Sequence, residues 1–487
     1  MRNTKLLKHF IYNLLGLGLP LVVAIGAIPL LISELGEVKF GLLTLIWAVV
    51  SYFGLFDLGL GRALTQQLTI VFANREDAKI GPLVFTASTL MAMLGILAGL
   101  SMVGAAEWGV SLIRDVPDRA ETVNAIYAMG IAMPFIVLTS GFRGILEARH
   151  AFGIVNLIRL PMGLFTFLGP LAVVIYSQPR LDLIAMVLVA GRMFACLIHA
   201  YFAWRVLPRQ VSQLRWQPAL LRSLCISGGW MTVSNIVGPL MGYLDRFMVG
   251  AVTSAQAVAH YATPQELISK FSIIPSALMA VLFPQFAQDS QAFSQGTVAV
   301  LERAGSMIIA LCMPVFAIIA LFSNEILTIW IGPQFAQSAS KILVLMTCGM
   351  LVNSIALLPL TWLQATNHSR SVALIHLLEL PLFCLLLWYA LKVGGASGAA
   401  MAWAVRILVD ACLLWLNMAY LETRLAGVAK KYLLQSILLA SLVYTATLLN
   451  LSVIIRAALF LLIAAYFGFR LFLLFRPKSK RPYVYKI

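Results

Sequence analysis

Fourteen long apolar stretches, separated by short gaps whose basic residues alternate, constrain this chain more than any other feature. The stretches lie near 11–32, 40–60, 81–104, 123–141, 155–176, 183–204, 226–250, 256–286, 304–322, 340–364, 371–391, 397–420, 433–450 and 453–475. A run of about 20 apolar residues is what a helix needs to cross the hydrocarbon of a bilayer. These runs are continuously apolar. A membrane β-barrel reads instead as short segments of alternating character. With no water in the bilayer core, a spanning helix satisfies its own backbone hydrogen bonds. The predicted fold class is therefore an all-α membrane protein with about 14 transmembrane helices.

Charge predicts the orientation. Of the 35 Lys and Arg, 24 lie in the two tails and the even-numbered gaps or at the span ends beside them, seven lie in the odd-numbered gaps or at the span ends beside them, and the other four fall inside spans. Basic residues accumulate on the cytoplasmic side, so both termini are expected there. The net charge of +16 reads as a topogenic surplus beside anionic lipid. It does not read as a nucleic-acid footprint. Apolar sequence from Phe10 to Ile32 is longer than the core of a secretion signal, which makes it an uncleaved first span. The six cysteines lie in or beside spans without close pairing and read as small apolar fillers.

No gap is long enough for a soluble domain. The basic gap Leu207–Leu224, with Pro208 and Pro218, divides the chain into an N-terminal six-helix lobe (1–206), a linker (207–224), a second six-helix lobe (225–423) and two further helices with a basic tail (424–487). The lobes show traces of a repeat. Val189-Ala-Gly-Arg192 lies opposite Trp403-Ala-Val-Arg406, Leu146-Glu-Ala148 opposite Leu363-Gln-Ala365, and Thr65-Gln66 opposite Pro284-Gln285, at offsets of 214, 217 and 219. Both copies begin on the same side, so the repeat is parallel, about an axis along the membrane normal.

Ionisable residues inside spans are costly and face a partner or a cavity. Arg192 has Leu188, Val189, Ala195 and Cys196 at the neighbouring helical positions, so its own helix offers it no acid. Arg406 occupies the matching point of the second lobe. Arg246 follows Asp245, and Lys270 stands four residues after Glu266. Asp410 stands four after Arg406, and Glu379 three after His376. Pairs at i,i+4 neutralise each other on one helix face. An unpaired arginine has another use, because its rigid fork matches phosphate with two charge-assisted bonds. Asp57 sits near the end of span 2 within reach of Arg62. Glu379 reads as a site for a coupling proton or cation, or as a neutral hydrogen-bonded carboxyl. Pro20, Pro29, Pro161, Pro275, Pro314, Pro359, Pro381 and Gly238-Pro239 interrupt spans and provide bends. No nucleotide-binding loop, HExxH or GxSxG run is present, so no cofactor and no enzymatic chemistry are expected.

The chain resembles the oligosaccharide–lipid flippase branch (Wzx-type) of the multidrug/oligosaccharidyl-lipid/polysaccharide (MOP) exporter superfamily. The resemblance rests on Asn13-Leu-Leu-Gly-Leu-Gly-Leu-Pro20, Phe40-Gly41-Leu-Leu-Thr leading to Phe56-Asp57-Leu-Gly-Leu-Gly61, and Arg143-Gly-Ile-Leu-Glu-Ala148. It continues through Trp230-Met-Thr-Val-Ser-Asn235, Asp245-Arg246, Tyr261, Lys270, Leu282-Phe-Pro284 and Leu363-Gln-Ala365. It implies a bacterial inner-membrane protein with two pseudo-symmetric six-helix lobes, a MATE-like fold, and two C-terminal helices. The implied function is to move a polyprenyl-diphosphate-linked oligosaccharide to the outer leaflet for O-antigen, capsule or exopolysaccharide assembly. Membrane lipids and other polysaccharide assembly proteins are the implied partners. In that picture Arg192, Arg406, Lys270 and Arg246 line a substrate cavity, and Asp57, Glu379, Asp410 and Glu266 are candidates for ion coupling. The alternatives are a cation-coupled multidrug exporter or a lipid II flippase of the same superfamily, and, in a different class, a polytopic glycan polymerase or ligase. The multidrug exporters generally carry a carboxylate in the first span, and Phe10–Ile32 has none.

Overall fold

A computed structural model of the protein describes residues 2–53, 59–208, 214–220, 240–289, 295–449 and 451–475. Among these residues helix is the only extended secondary structure. The helices are α1 (Arg2–Phe53), α2 (Leu60–Ala73), α3 (Asp77–Leu112), α4 (Arg119–Ala148), α5 (Phe152–Tyr176), α6 (Leu181–Val206) and α7 (240–252), followed by α8 (Ala255–Lys270) and α9 (Ile273–Asp289). After them come α10 (Gln295–Leu321), α11 (Ser323–Trp330), α12 (Pro333–Ala365), α13 (Ser369–Leu421), α14 (Ala426–Leu448) and α15 (Val453–Phe475). Ten helices among the described residues are long and apolar enough to cross a membrane. Two helices hold two expected spans each. Gly36 (φ 75°) breaks α1 between spans 1 and 2, and Gly395 (φ 54°) breaks α13 between spans 11 and 12. Positive φ is strained for side-chain-bearing residues, so glycine marks both breaks.

Contacts gather the chain into two units. One comprises Met1–Ala262 with Leu387–Ala396, the other Thr263–Leu386 with Ser397–Ile487. In the second unit α12 is 83% buried over its most apolar stretch, whereas α15 is only 6% buried. Ile454, Leu462 and Phe472 of α15 stand exposed. An apolar helix with bare apolar sides is one that lipid covers. The protein is a multi-pass membrane protein.

Lipid tails are as apolar as leucine, so helices in a membrane associate through close packing at small residues. The α3–α4 pair shows this. A Cβ on Gly95 would lie 2.5 Å from Pro134 Cα, and one on Gly99 would lie 2.5 Å from the Gly130 carbonyl oxygen. Bare glycines thus let the two backbones touch.

The repeat is visible in backbone geometry. His150 after α4 and Asn367 after α12 both adopt left-handed conformations, with φ of 57° and 62°. Each is followed by the same closing bond, Ala151 N to Leu146 O at 2.9 Å and His368 N to Leu363 O at 2.8 Å. The separation of these residues is the 217 of the Leu146/Leu363 match, and Phe152 and Ser369, which open the next helices, stand at that same offset.

The span expected over 256–286 appears as one candidate span, Ala255–Phe283, with a turn at Phe271-Ser272 beside Pro275. Three residues explain the turn. Ser269 Oγ donates to Glu266 O at 2.9 Å and Ser272 Oγ to Ser269 O at 2.6 Å. Pro275 has no N–H to offer the Phe271 carbonyl four residues back. Broken helices at membrane depth occur where protein or a wet cavity satisfies the backbone.

Gap contacts within each unit obey the alternation. Lys39 of gap 1 meets Glu121 of gap 3 at 2.9 Å and the Pro179 carbonyl of gap 5 at 3.0 Å. Arg114 N of gap 3 donates to Gly250 O at 3.3 Å, beside gap 7. At the other end of the same unit, the Arg149 guanidinium of gap 4 lies 4.8 Å over the Phe72 ring of gap 2. In the second unit Arg456 pairs with Glu325 at 2.5 Å, odd with odd, and Lys431 with Glu302 at 2.9 Å, even with even.

Gly99→Ala should force α3 from α4 and cost about 1–3 kcal/mol, whereas Gly104→Ala, in open space on the same helix, should be neutral or slightly stabilising. Thermal unfolding of the purified variants in detergent checks the difference. A second test is acid. The Arg456 guanidinium holds the Glu325 carboxyl below its usual value of 4.5. That contribution is complete above the ordinary value and disappears as pH falls through the lower folded one. Between about pH 6 and about pH 3, wild-type unfolding temperature should therefore fall further than that of Glu325→Gln.

Candidate functional site

The expected site residues fall into four local groups. The first is on α13. His376 and Glu379 precede the Gly395 break, and Arg406 and Asp410 follow it. His376 Nε2 lies 3.3 Å from Asp410 Oδ1. The two residues stand almost equally far from the break in sequence, so their contact shows the two arms running back along each other. The Arg406 guanidinium lies 5.5 Å over the Phe383 ring. Glu379 is 4% exposed, and neither carboxyl oxygen meets a hydrogen-bond donor among the described residues. Its charged surroundings are Asp410, Arg406 and His376. His376, three residues before Glu379 on the same arm, lies against Asp410 across the hairpin. Phe383 engages Arg406 on the same arm as Glu379.

Arg192 makes the second group alone. Leu188, Ala195, Cys196 and His199 of α6 are buried. Arg192 shares their helical stripe and is half-buried. The opposite stripe, with Phe194, Leu197 and Tyr201, is exposed. The guanidinium is thus turned away from the side of α6 that is bare and apolar. No hydrogen bond or ion pair reaches it among the described residues. Next to it, Gly191 accommodates the Phe165 ring of α5 at a distance that no Cβ would tolerate.

The third group is Asp245 and Arg246 on α7. Asp245 is fully buried and Arg246 is 3% exposed. Tyr261 of α8 donates its hydroxyl to Asp245 Oδ2 at 2.7 Å, and the Arg246 amide donates to Oδ1 at 2.8 Å. The Arg246 guanidinium lies 5.5 Å from the Tyr243 ring centre. The fourth group is Glu266 and Lys270, an i,i+4 pair at 3.1 Å on the last turn of α8, beside the helix break. Asp57 lies outside the described residues. So do Gly238-Pro239 and the Trp230–Asn235 motif.

Among the described residues no cluster of three or more His, Cys, Asp or Glu could hold a metal ion, and the five described cysteines are free thiols. Sequence reading missed two acid-centred contacts at the odd-gap ends of the spans. Glu121 accepts from Lys39 and from the Leu181 amide at 2.5 Å, and Glu37 accepts from Gln256 at 2.5 Å and meets His260 at 3.0 Å. The available signal was that acids and bases coexist in odd-numbered gaps otherwise poor in charge.

Comparison with known proteins places this arrangement. Residues 6–289 match the family described as "Polysaccharide biosynthesis protein". The chain belongs to that family. In the polysaccharide biosynthesis protein family it is 29% identical over 426 residues to a Shigella flexneri protein named "Putative O-antigen transporter", which covers 87% of this chain and 99% of that one. Two solved structures share its fold. One is an inward-facing multidrug resistance MATE family transporter of the MOP superfamily, with a TM-score of 0.69 at 13% identity over 85% of this chain and 96% of that one. The other is the lipid II flippase MurJ in an inward closed conformation, with a TM-score of 0.69 at 12% identity over 92% and 98%. The chain therefore has the MOP fold, as its motifs implied.

Tyr261→Phe should leave a buried carboxylate oxygen one donor short and lower stability by about 1–3 kcal/mol. A drop of several degrees in the unfolding temperature of the detergent-solubilised protein checks it, and an unchanged temperature would show that Asp245 does not depend on this hydroxyl.

Proposed function

We propose that this protein is a flippase that carries a polyprenyl-diphosphate-linked oligosaccharide from the cytoplasmic to the periplasmic leaflet of a bacterial inner membrane. The product would feed O-antigen, capsule or exopolysaccharide assembly, where other assembly proteins receive it. The observation that carries the reading is the near full-length similarity to the Shigella flexneri O-antigen transport protein, in a chain whose Arg192 has no acidic partner among the described residues. On this reading the chain is a transporter without enzymatic chemistry, and both termini are cytoplasmic, as the basic surplus of the even-numbered gaps requires.

The mechanism follows from charge. A lipid diphosphate brings negative charge to a place where water is scarce, and an arginine fork offers it two parallel charge-assisted bonds. Arg192 is the primary anchor, because no acid among the described residues competes for it. Arg246, Arg406 and Lys270 are secondary cations, since Asp245, the α13 cluster and Glu266 already engage them or stand beside them. Alternating access of a cationic cavity would then expose these groups to either leaflet in turn. The same fold is known in inward-facing and outward-facing conformations. Among Asp57, Glu379, Asp410 and Glu266, the best coupling candidate is Glu379. A buried carboxylate with no donor is costly, so a proton or cation that neutralises it would move with the conformational change.

Arg192→Ala should abolish surface polysaccharide and cause lipid-linked precursor to accumulate, at an unchanged amount of protein in the membrane, and Arg192→Lys should retain a fraction of export. Glycan staining, precursor extraction and immunoblotting of the membrane fraction in a deletion strain complemented with each variant measure this. Normal export by Arg192→Ala would defeat the assignment of the anchor. Normal surface glycan in the deletion strain itself would defeat the function.

A further inference from the structure

Two cavities in the second unit share one residue, Tyr444. The first has a volume of about 220 Å3 and is a slot between α12, α13 and α14, lined by Leu345, Cys348, Val352, Leu408, Ile437 and Tyr444. The second has a volume of about 550 Å3 and a different chemistry, with Ser323, Asn324, Lys341, Thr447 and Arg456 on its walls. Single helical stripes run through both. On α12, Lys341 and Val344 face the polar cavity, and Leu345, Cys348 and Val352 face the slot. On α14 the order is Thr447, then the shared Tyr444, then Ser441 and Ile437.

Depth and charge identify the occupant. From Lys341 to Val352 the helix rises about 16 Å at 1.5 Å per residue. That is about half of the roughly 30 Å hydrocarbon thickness, one leaflet deep. The mouth lies at the odd-numbered gaps. Arg456 spends its Nη groups on Glu325, at 2.5 and 3.1 Å, and on the Leu321 carbonyl at 2.7 Å. Its Nε is buried and has no hydrogen-bond partner among the described residues. Glu325 cancels the charge of Arg456, and Lys341, exposed and without an ion pair among the described residues, leaves the mouth positive. A positive mouth opening onto an apolar slot of single-leaflet depth is the shape of one amphiphile.

We propose that the two cavities form one binding site for an anionic phospholipid of the leaflet on the odd-gap side. The phosphodiester sits beside Lys341, and one acyl chain lies in the slot past Tyr444. A polyprenyl chain is several times too long for this slot, and a soluble phosphate would leave it empty. A zwitterionic headgroup would set its own cation against Lys341. The site uses none of the ionisable residues assigned to transport, so it stands independently of the proposed function.

The test uses the full-length protein in nanodiscs of phosphatidylcholine with a minor fraction of phosphatidylglycerol, released into the gas phase for native mass spectrometry. Wild type should retain one phosphatidylglycerol in preference to phosphatidylcholine by about fivefold, the equivalent of about 1 kcal/mol for one cation near the surface. Lys341→Ala should bring the ratio to near one at an unchanged unfolding temperature. Ser441→Phe, which fills the slot, should cut retention of both lipids. Equal retention of the two lipids by wild type would overturn the proposal, and so would an undiminished preference in Lys341→Ala. Complete displacement of the lipid by glycerol phosphate would show a soluble-anion pocket instead. Preferential retention of added polyprenyl phosphate would show a site for the transported lipid class. Either result ends the phospholipid assignment.

Discussion

Hydrocarbon offers no partner to a charge or to a backbone amide, and the architecture follows from that. It makes helix the only regular structure among the described residues. It also sorts the charges by depth. Where gaps meet, acids and bases pair directly. Glu121 alone binds the Lys39 ammonium and the amide that opens α6. One carboxylate therefore fixes the ends of spans that are far apart in sequence. Inside the spans, Asp245 is wrapped by a tyrosine hydroxyl and a backbone amide, and Asp410 takes the imidazole of His376. Arg192 has no comparable arrangement among the described residues.

The same solvent removes the usual reason for helices to pack. Burial of leucine against leucine gains little when lipid already surrounds it, so close approach of backbones carries more of the cohesion. Gly95, Gly99 and Gly130 supply it between α3 and α4. In the second unit Gly305 accepts the Tyr432 ring and Gly349 the Trp403 ring, each nearer than a Cβ would allow. Tyr432 then donates its hydroxyl to the Glu302 carbonyl at 2.5 Å, so an aromatic seated on a glycine also satisfies its polar end.

How far the sequence reveals this depends on whether a feature is local. Span positions, the alternation of gaps and the helix ends at His150 and Asn367 depend on composition and on a few adjacent residues, and each is readable. The separation of Arg192 from any acid on its own helix is equally local. Pro275 marks the bend near Phe271-Ser272 in advance, whereas the part played by the two serines shows only when their hydroxyls are seen to take the helix carbonyls. The α13 cluster was hidden for another reason. Arg406 and Asp410 have the spacing of an internal pair, and His376 and Glu379 have nearly that spacing. Which side chain crosses to which arm depends on the rotation of two helices about their axes, which Gly395 permits but does not specify. Asp57 and the Gly238-Pro239 interruption lie outside the described residues.

The matching arginines show what a repeat preserves and what it releases. Arg192 and Arg406 occupy corresponding points of two copies whose helix ends still share a backbone conformation. Their surroundings have diverged. Arg406 has Phe383 under its guanidinium and shares its region with Asp410, Glu379 and His376. Arg192 has a stripe of Leu, Ala, Cys and His. In a medium of low dielectric constant an acid a few ångströms away offsets most of a cation's field, while an isolated cation projects it further. Identical residues at equivalent positions therefore cannot act identically. The N-terminal copy presents a cation of fixed charge. The C-terminal copy presents a cation that shares its surroundings with two carboxyls and an imidazole. On the proposed reading, the N-terminal copy is therefore the better placed of the two to hold an anion.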